Sequence, residues 1–119
     1  MSFSTSIHTT DSVWCLINEF GKSKTYVNTS SITRSGNTAS AWIAYSLDPF
    51  GVDKRNGENV REMLMLEEYN LDNKCFRVYQ SVFIYAEGTA SAPIHFEPQW
   101  KPATNGNQAT LEFLKQFHH

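Results

Sequence analysis

The sequence predicts an α+β fold: an antiparallel β-sheet of about six short strands packed by a C-terminal α-helix. Three observations predict it. Segments 38–48 and 74–85 alternate with the two-residue period of a strand. Ser, Thr and Asn supply 31 of the 119 residues, and these types suit exposed strand faces and turns better than helix interiors. Leu111, Leu114 and Phe117 form one apolar stripe at helical spacing, with Phe113 beside it.

The elements follow in order. Residues 1–11 are polar and aperiodic and read as a flexible arm, leaving 12–119 as a single domain. In 13–19, Val13, Cys15 and Ile17 alternate with Trp14 and Leu16, so a strand buried on both sides is expected. Gly21-Lys22-Ser23 turns the chain into a second strand over 24–28. A short extended piece, 31–34, precedes the turn Ser35-Gly36-Asn37. In 38–48, Ala39, Ala41, Ile43, Tyr45 and Leu47 line one face, the natural core face, and Trp42 falls on the other.

Segment 49–59 is rich in Pro, Gly and charge and reads as a loop. Segment 60–70 has good helix formers, but it lies between strand-like segments and leads to a tight turn, so strand is favoured over helix. Strict alternation over 74–85 puts Phe76, Val78, Val82 and Ile84 on one face and Arg77, Tyr79, Ser81 and Phe83 on the other. A short strand over 89–95 is marked as an edge by Pro93. Residues 96–104 hold two of the four prolines and read as irregular, and Asn107 is the expected N-cap of the terminal helix.

Composition excludes several functions. A net charge of −2 gives no basic footprint for nucleic acid. No apolar run reaches the roughly 20 residues that span a bilayer as a helix. The start lacks the basic and apolar regions of a signal peptide, so the expected location is the cytoplasm if Met1 is the native start. If a leader was removed, the protein is exported. His8, His95, His118, His119, Cys15 and Cys75 lack metal-ligand spacing; His95 and Glu97 could share one strand face, but a third ligand is not evident. No cofactor motif is present, because the six glycines are isolated.

Nucleophilic catalysis by Cys75 with His95 would need an orienting group and a cleft that the sequence does not supply. Adjacent Glu67 and Glu68 lie on opposite faces of a strand, so at least one is expected to be solvated rather than half of an acid/base pair. Cys15 and Cys75 either pair or sit as two buried thiols.

Two features point to a protein partner. Lys54 and Arg55 in the charged loop, with Arg61 just inside the next strand, form a basic cluster suited to an acidic segment; the competing reading is a solvated loop. Trp42, Tyr79 and Phe83 fall opposite the best core faces and would form an aromatic patch on the sheet side without the helix. The competing reading there is a second core layer, with Trp100 packed over that face. A homodimer through the face or a sheet edge is compatible with either.

A family resemblance runs through the chain, roughly from Val13 to Phe117. It is carried by Tyr26-Val27-Asn28, Ser31-Ile32 with Arg34, the Gly36-Asn37 turn and Trp42. It continues through Glu68-Tyr69-Asn70, Arg77, Gly88, Trp100-Lys101-Pro102 and Asn105-Gly106-Asn107. The sequence resembles the surface-adhesin protein E family of bacterial envelope proteins. The resemblance implies a sheet packed by a C-terminal helix, an exported or lipid-anchored protein in the periplasm or at the cell surface of a Gram-negative bacterium, and binding of host matrix or plasma proteins without enzymatic activity. The family tends to carry a pair of cysteines at positions that here hold Leu71 and, approximately, Phe117, so a hydrophobic contact is expected in place of that staple. The alternative function is a periplasmic inhibitor or immunity-type protein that blocks a bacterial toxin or hydrolase. A third is an enzyme or small-ligand carrier, which would require a deep polar pocket containing His95 and Glu97.

Overall fold

A computed structural model describes residues 13–117; the arm over 1–11, His8, His118 and His119 lie outside these. The chain runs β1 (Trp14–Phe20), β2 (Ser23–Asn28), a 3-10 turn (Thr29–Ser31), β3 (Thr33–Ser35), β4 (Thr38–Val52), β5 (Asn59–Asn70), β6 (Cys75–Tyr85), β7 (Ile94–His95), β8 (Lys101–Pro102) and α1 (Asn105–Gln116). All eight strands join one antiparallel sheet in the order β1-β2-β4-β5-β6-β7, with β3 on β4 and β8 on β6. The α+β class holds, but eight strands replace the six expected.

The differences have local causes. β2 and β3 share the same edge of β4, at Ile43–Ser46 and Thr38–Ser40 respectively, so the 3-10 turn interrupts what is otherwise one line of pairing. β4 runs on to Val52, through Pro49, because residues 47–50 bulge out of register between Ser46 and Gly51. A proline has no N–H to give the ladder, and a bulge is where that is tolerated. The loop therefore shrinks to residues 53–58. Segment 89–95 contributes only β7 and an Ala90–Ile84 bridge, and β8 arises where irregular chain was expected. β8 accepts Pro102 because it lies on the outer edge of β6. The helix begins at Asn105 with Thr104 as N-cap, three residues before the expected N-cap Asn107, and the Thr104 hydroxyl donates to the Asn107 amide oxygen at 2.8 Å.

β5 is a strand along its whole length, paired with β4 on one side and β6 on the other. Its odd positions Met63, Met65, Glu67 and Tyr69 share a face with Ala39, Ala41, Ile43 and Tyr45 of β4. Leu111 and Leu114 of α1 bury against that face, in one cluster with Val27, Ala41, Ile43 and Tyr69. Leu71 is buried in the same cluster, and Phe117 packs against it, so the two positions where a hydrophobic contact was expected belong to one core.

A carboxylate sits inside this core. Glu67 is 1% exposed. The Tyr45 hydroxyl donates to its Oε2 and the Tyr69 hydroxyl to its Oε1, each at 2.6 Å. The Asn107 amide of α1 donates in turn to the Tyr69 hydroxyl at 3.3 Å. Burial pushes the Glu67 carboxyl above its ordinary value of 4.5, although both tyrosine donors oppose the shift. Burial, and then the neighbouring Glu67, push both tyrosines upward, so their hydroxyls stay protonated donors.

Removing one member of such a network leaves the others unpaired, whereas removing all of them does not. Glu67→Leu is expected to lower the unfolding free energy by about 2–4 kcal/mol in urea titrations, from two orphaned hydroxyls at about 1–3 kcal/mol each, partly offset. Adding Tyr45→Phe and Tyr69→Phe to it should recover most of that loss. Because the folded-state pKa of Glu67 is raised, its contribution is fully present below about 4.5 and is lost as pH rises through the folded value. Glu67→Gln should remove that decline.

Candidate interaction surface

The face of the sheet opposite α1 carries Trp42, across from Leu66, and Glu68, across from Arg77. Among the described residues no helix covers it. Its strongest feature is a cluster at β5 and β6. The Arg77 Nε and the Tyr79 hydroxyl both donate to Glu68 Oε1, each at 2.7 Å. The Arg77 guanidinium stands 5.3 Å from the Tyr79 ring centroid and 4.3 Å from that of Trp100. It is thereby held between two aromatic rings and a carboxylate. The bond to Glu68 pushes Arg77 upward, while burial, followed by the hydrogen bond to Glu68, pushes Tyr79 upward. Trp100 remains 41% exposed.

A bulge explains why Tyr79 belongs here and Phe83 does not. Val78 pairs with Glu67 and Gln80 with Leu66, so Tyr79 is an extra residue with no partner of its own. Alternation before the bulge is inverted after it. Phe83 pairs with Met63 and lies on the helix side of the sheet. The reading that grouped Trp42, Tyr79 and Phe83 on one face is corrected to Trp42 and Tyr79, joined by Arg77 and Trp100. Trp100 reaches the cluster from segment 96–100, so the expected packing of that segment occurs at the edge of the open face.

The loop is organised by its aspartate. Asp53 is 2% exposed. Its carboxylate accepts from the Arg55 backbone N–H (3.0 Å), Arg55 Nε (3.0 Å), Arg55 Nη2 (2.8 Å) and the Tyr85 hydroxyl (2.8 Å). Its backbone carbonyl accepts from Asn56 and Gly57, and Gly57 supplies the positive φ that closes the turn. The Arg55 guanidinium also lies 5.5 Å from the Phe83 ring centroid. Arg55 and Phe83 are thus brought together, but Arg55 is neutralised from within. Lys54 is exposed at the tip. Arg61 lies beside Glu62, with 3.5 Å between Nε and Oε1, and lines a separate recess with Lys22, Lys24 and Asp48. The three basic residues do not converge.

The remaining candidates are separated by the sheet. Cys15 and Cys75 are free thiols on β1 and β6. Four inter-strand steps alone separate them by about 19 Å, and Cys15 lies in register with Ser81 rather than Cys75, so they are well beyond the roughly 7 Å a disulfide tolerates. Cys75 pairs with Pro102 and His95 with Gln80, positions about 17 Å apart along β6, so they form no dyad. Glu67 and Glu68 do face opposite ways, but neither is simply solvated: one is buried and the other holds Arg77. No group of three metal-ligating side chains occurs among the described residues.

No family model and no curated protein matches the sequence. Solved structures do. Crystal form II of Haemophilus influenzae protein E aligns with a TM-score of 0.62 at 14% identity, over 89% of this chain and 91% of that one. A second structure of Haemophilus influenzae protein E gives 0.59 at 15%, over 92% of each chain. Protein E from non-typeable Haemophilus influenzae gives 0.54 at 14%, over 87% of this chain and 76% of that one. The chain has a protein E-like fold. Likeness at this identity concerns the fold, and it agrees with the resemblance carried by the sequence.

The Asp53 hub makes a measurable prediction. Arg55 above all, with Tyr85, holds the Asp53 carboxyl well below its ordinary value of 3.8. Its contribution to stability is therefore present above about 3.8 and is lost as pH falls through the depressed folded value. Asp53→Asn should destabilise the protein at neutral pH and flatten the acid limb of stability measured by urea titration between pH 5 and about pH 2. An unchanged acid limb would show that the loop is held by its backbone alone.

Proposed function

We propose that this chain is a non-enzymatic, protein-binding domain of the bacterial envelope that engages its partner through the open face of the sheet. The observation that carries the reading is the Glu68–Arg77–Tyr79–Trp100 cluster. Trp, Tyr and Arg are the residue types that dominate interface energetics, and they do so when desolvated and held in place before binding. Here the arginine is fixed by a carboxylate and two rings, so little side-chain entropy remains to be lost. Trp42 extends the apolar surface along β4. The protein E-like fold and the motifs shared with surface-adhesin protein E support the envelope setting and a host matrix or plasma protein as partner. No helix among the described residues is long and apolar enough to cross a membrane.

The basic loop takes a smaller part in this reading. Lys54 is placed to act at a rim, where a charge alters association rate and salt dependence more than affinity.

The test is a binding titration of the purified chain against a panel of extracellular matrix and plasma proteins. At least one should bind saturably. Trp100→Ala and Arg77→Ala should each weaken that binding by about tenfold or more. Lys54→Ala should chiefly reduce the association rate at low salt. Failure to bind any member, or binding indifferent to Trp100 and Arg77, would overturn the reading.

A further inference from the structure

A cavity of about 240 Å³ opens between the helix side of β5 and β6 and the segment 96–100 that straps the sheet edge. Met65, Phe76 and Val78 line its sheet side, Phe96 its strap side, and Glu97 and Lys101 its mouth. We propose that this cavity is a binding site for one neutral aromatic ring. An apolar cavity of about 150 Å³ is enough to take benzene, so this space fits a phenol or indole. The lining favours an aromatic over an aliphatic guest. A thioether and two phenyl rings each attract a ring beyond the area they bury. Neutrality follows from the charges around the mouth. Arg77, which also reaches it, is paired with Glu68, and Glu97 and Lys101 in the same lining carry opposite charges.

The space is built on rigid parts. Phe76 stacks on Tyr69 with centroids 5.7 Å apart, and Tyr69 is fixed by Glu67 and Asn107. The strap is fastened at both ends, by β7 to Gln80 and Ser81 and by β8 to Cys75 and Phe76. Two backbone bonds reinforce it, Phe96 N–H to the Tyr79 carbonyl at 3.0 Å and Ala103 N–H to the Lys74 carbonyl at 2.9 Å. Pro98 restricts the span between them. A cavity held open in this way need not collapse in the absence of a guest.

The experiment is an NMR titration of the isotope-labelled full chain with indole, N-acetyl-tryptophanamide and benzoate. Indole is expected to give saturable shifts at Met65, Val78 and Phe96, with a Kd on the order of 1 mM for so small a ligand. Benzoate should bind no more tightly than indole. Val78→Phe, which fills the space, and Phe96→Ala, which removes a half-exposed wall without touching the core, should each weaken indole by about tenfold or more. If Val78→Phe fails to fold, Phe96→Ala carries the test. The absence of saturable shifts, shifts confined to other residues, wild-type binding by Phe96→Ala, or a marked preference for benzoate would overturn the proposal. Tighter binding of N-acetyl-tryptophanamide than of indole shows that the ring arrives on a protein chain, and the reverse shows a free small molecule. These variants leave Trp100 and Arg77 in place, so this result and that of the open-face test are separable.

Discussion

A carboxylate buried between sheet and helix constrains the rest of this molecule. Glu67 accepts one tyrosine hydroxyl on each oxygen, and the second tyrosine is held by Asn107 of α1. Burial of Leu111 and Leu114 supplies more of the docking free energy, at about 1.5–3 kcal/mol each, than a net hydrogen bond at about 1 kcal/mol. Hydrophobic contact is non-directional, however, and would accept the helix in neighbouring positions. The polar chain accepts only one, because any shift orphans a buried donor or an ionisable acceptor. Affinity between helix and sheet thus comes from leucine, and position comes from Glu67.

That position propagates outward. Tyr69, once fixed, presents its ring to Phe76, and Phe76 underlies the cavity beneath the strap. On the same two strands the bulge at Tyr79 lets β6 serve both faces. Val78 and Phe83 face the helix side, while Arg77 and Tyr79 meet Glu68 on the other. Adjacent glutamates, Glu67 and Glu68, therefore organise opposite surfaces of one sheet. The former orders the interior, and the latter pre-orients the aromatic and cationic surface proposed for a partner.

Much of this was legible in the sequence. The two-residue period located β4 and β6, and the Leu111, Leu114 and Phe117 stripe located α1, because each element buries one face and must pattern accordingly. The resemblance to surface-adhesin protein E anticipated the fold that the structural neighbours share. The missed features arise from contacts distant in sequence. A bulge is set by pairing with a neighbouring strand, so strict alternation placed Phe83 on the wrong face. Pro49 looked like the end of β4 because its tolerance depends on the bulge opposite Arg61. Glu67 stood out only as one of two adjacent acids, since nothing local shows that Tyr45, 22 residues away, donates to it. Arg55 looked available for a partner, although an aspartate two residues before an arginine in a tight loop was a readable sign of an internal pair.

The most direct test of the central claim is amide hydrogen exchange of the native protein compared with Glu67→Gln. The substitution keeps the size of the side chain but offers one acceptor oxygen where two hydroxyls donate. If Glu67 fixes the helix in place, protection at Leu111 to Leu114 falls well before that of Ile43 and Val27 in the sheet. Equal protection of the helix in both proteins would contradict the account and leave the helix held by its leucines alone.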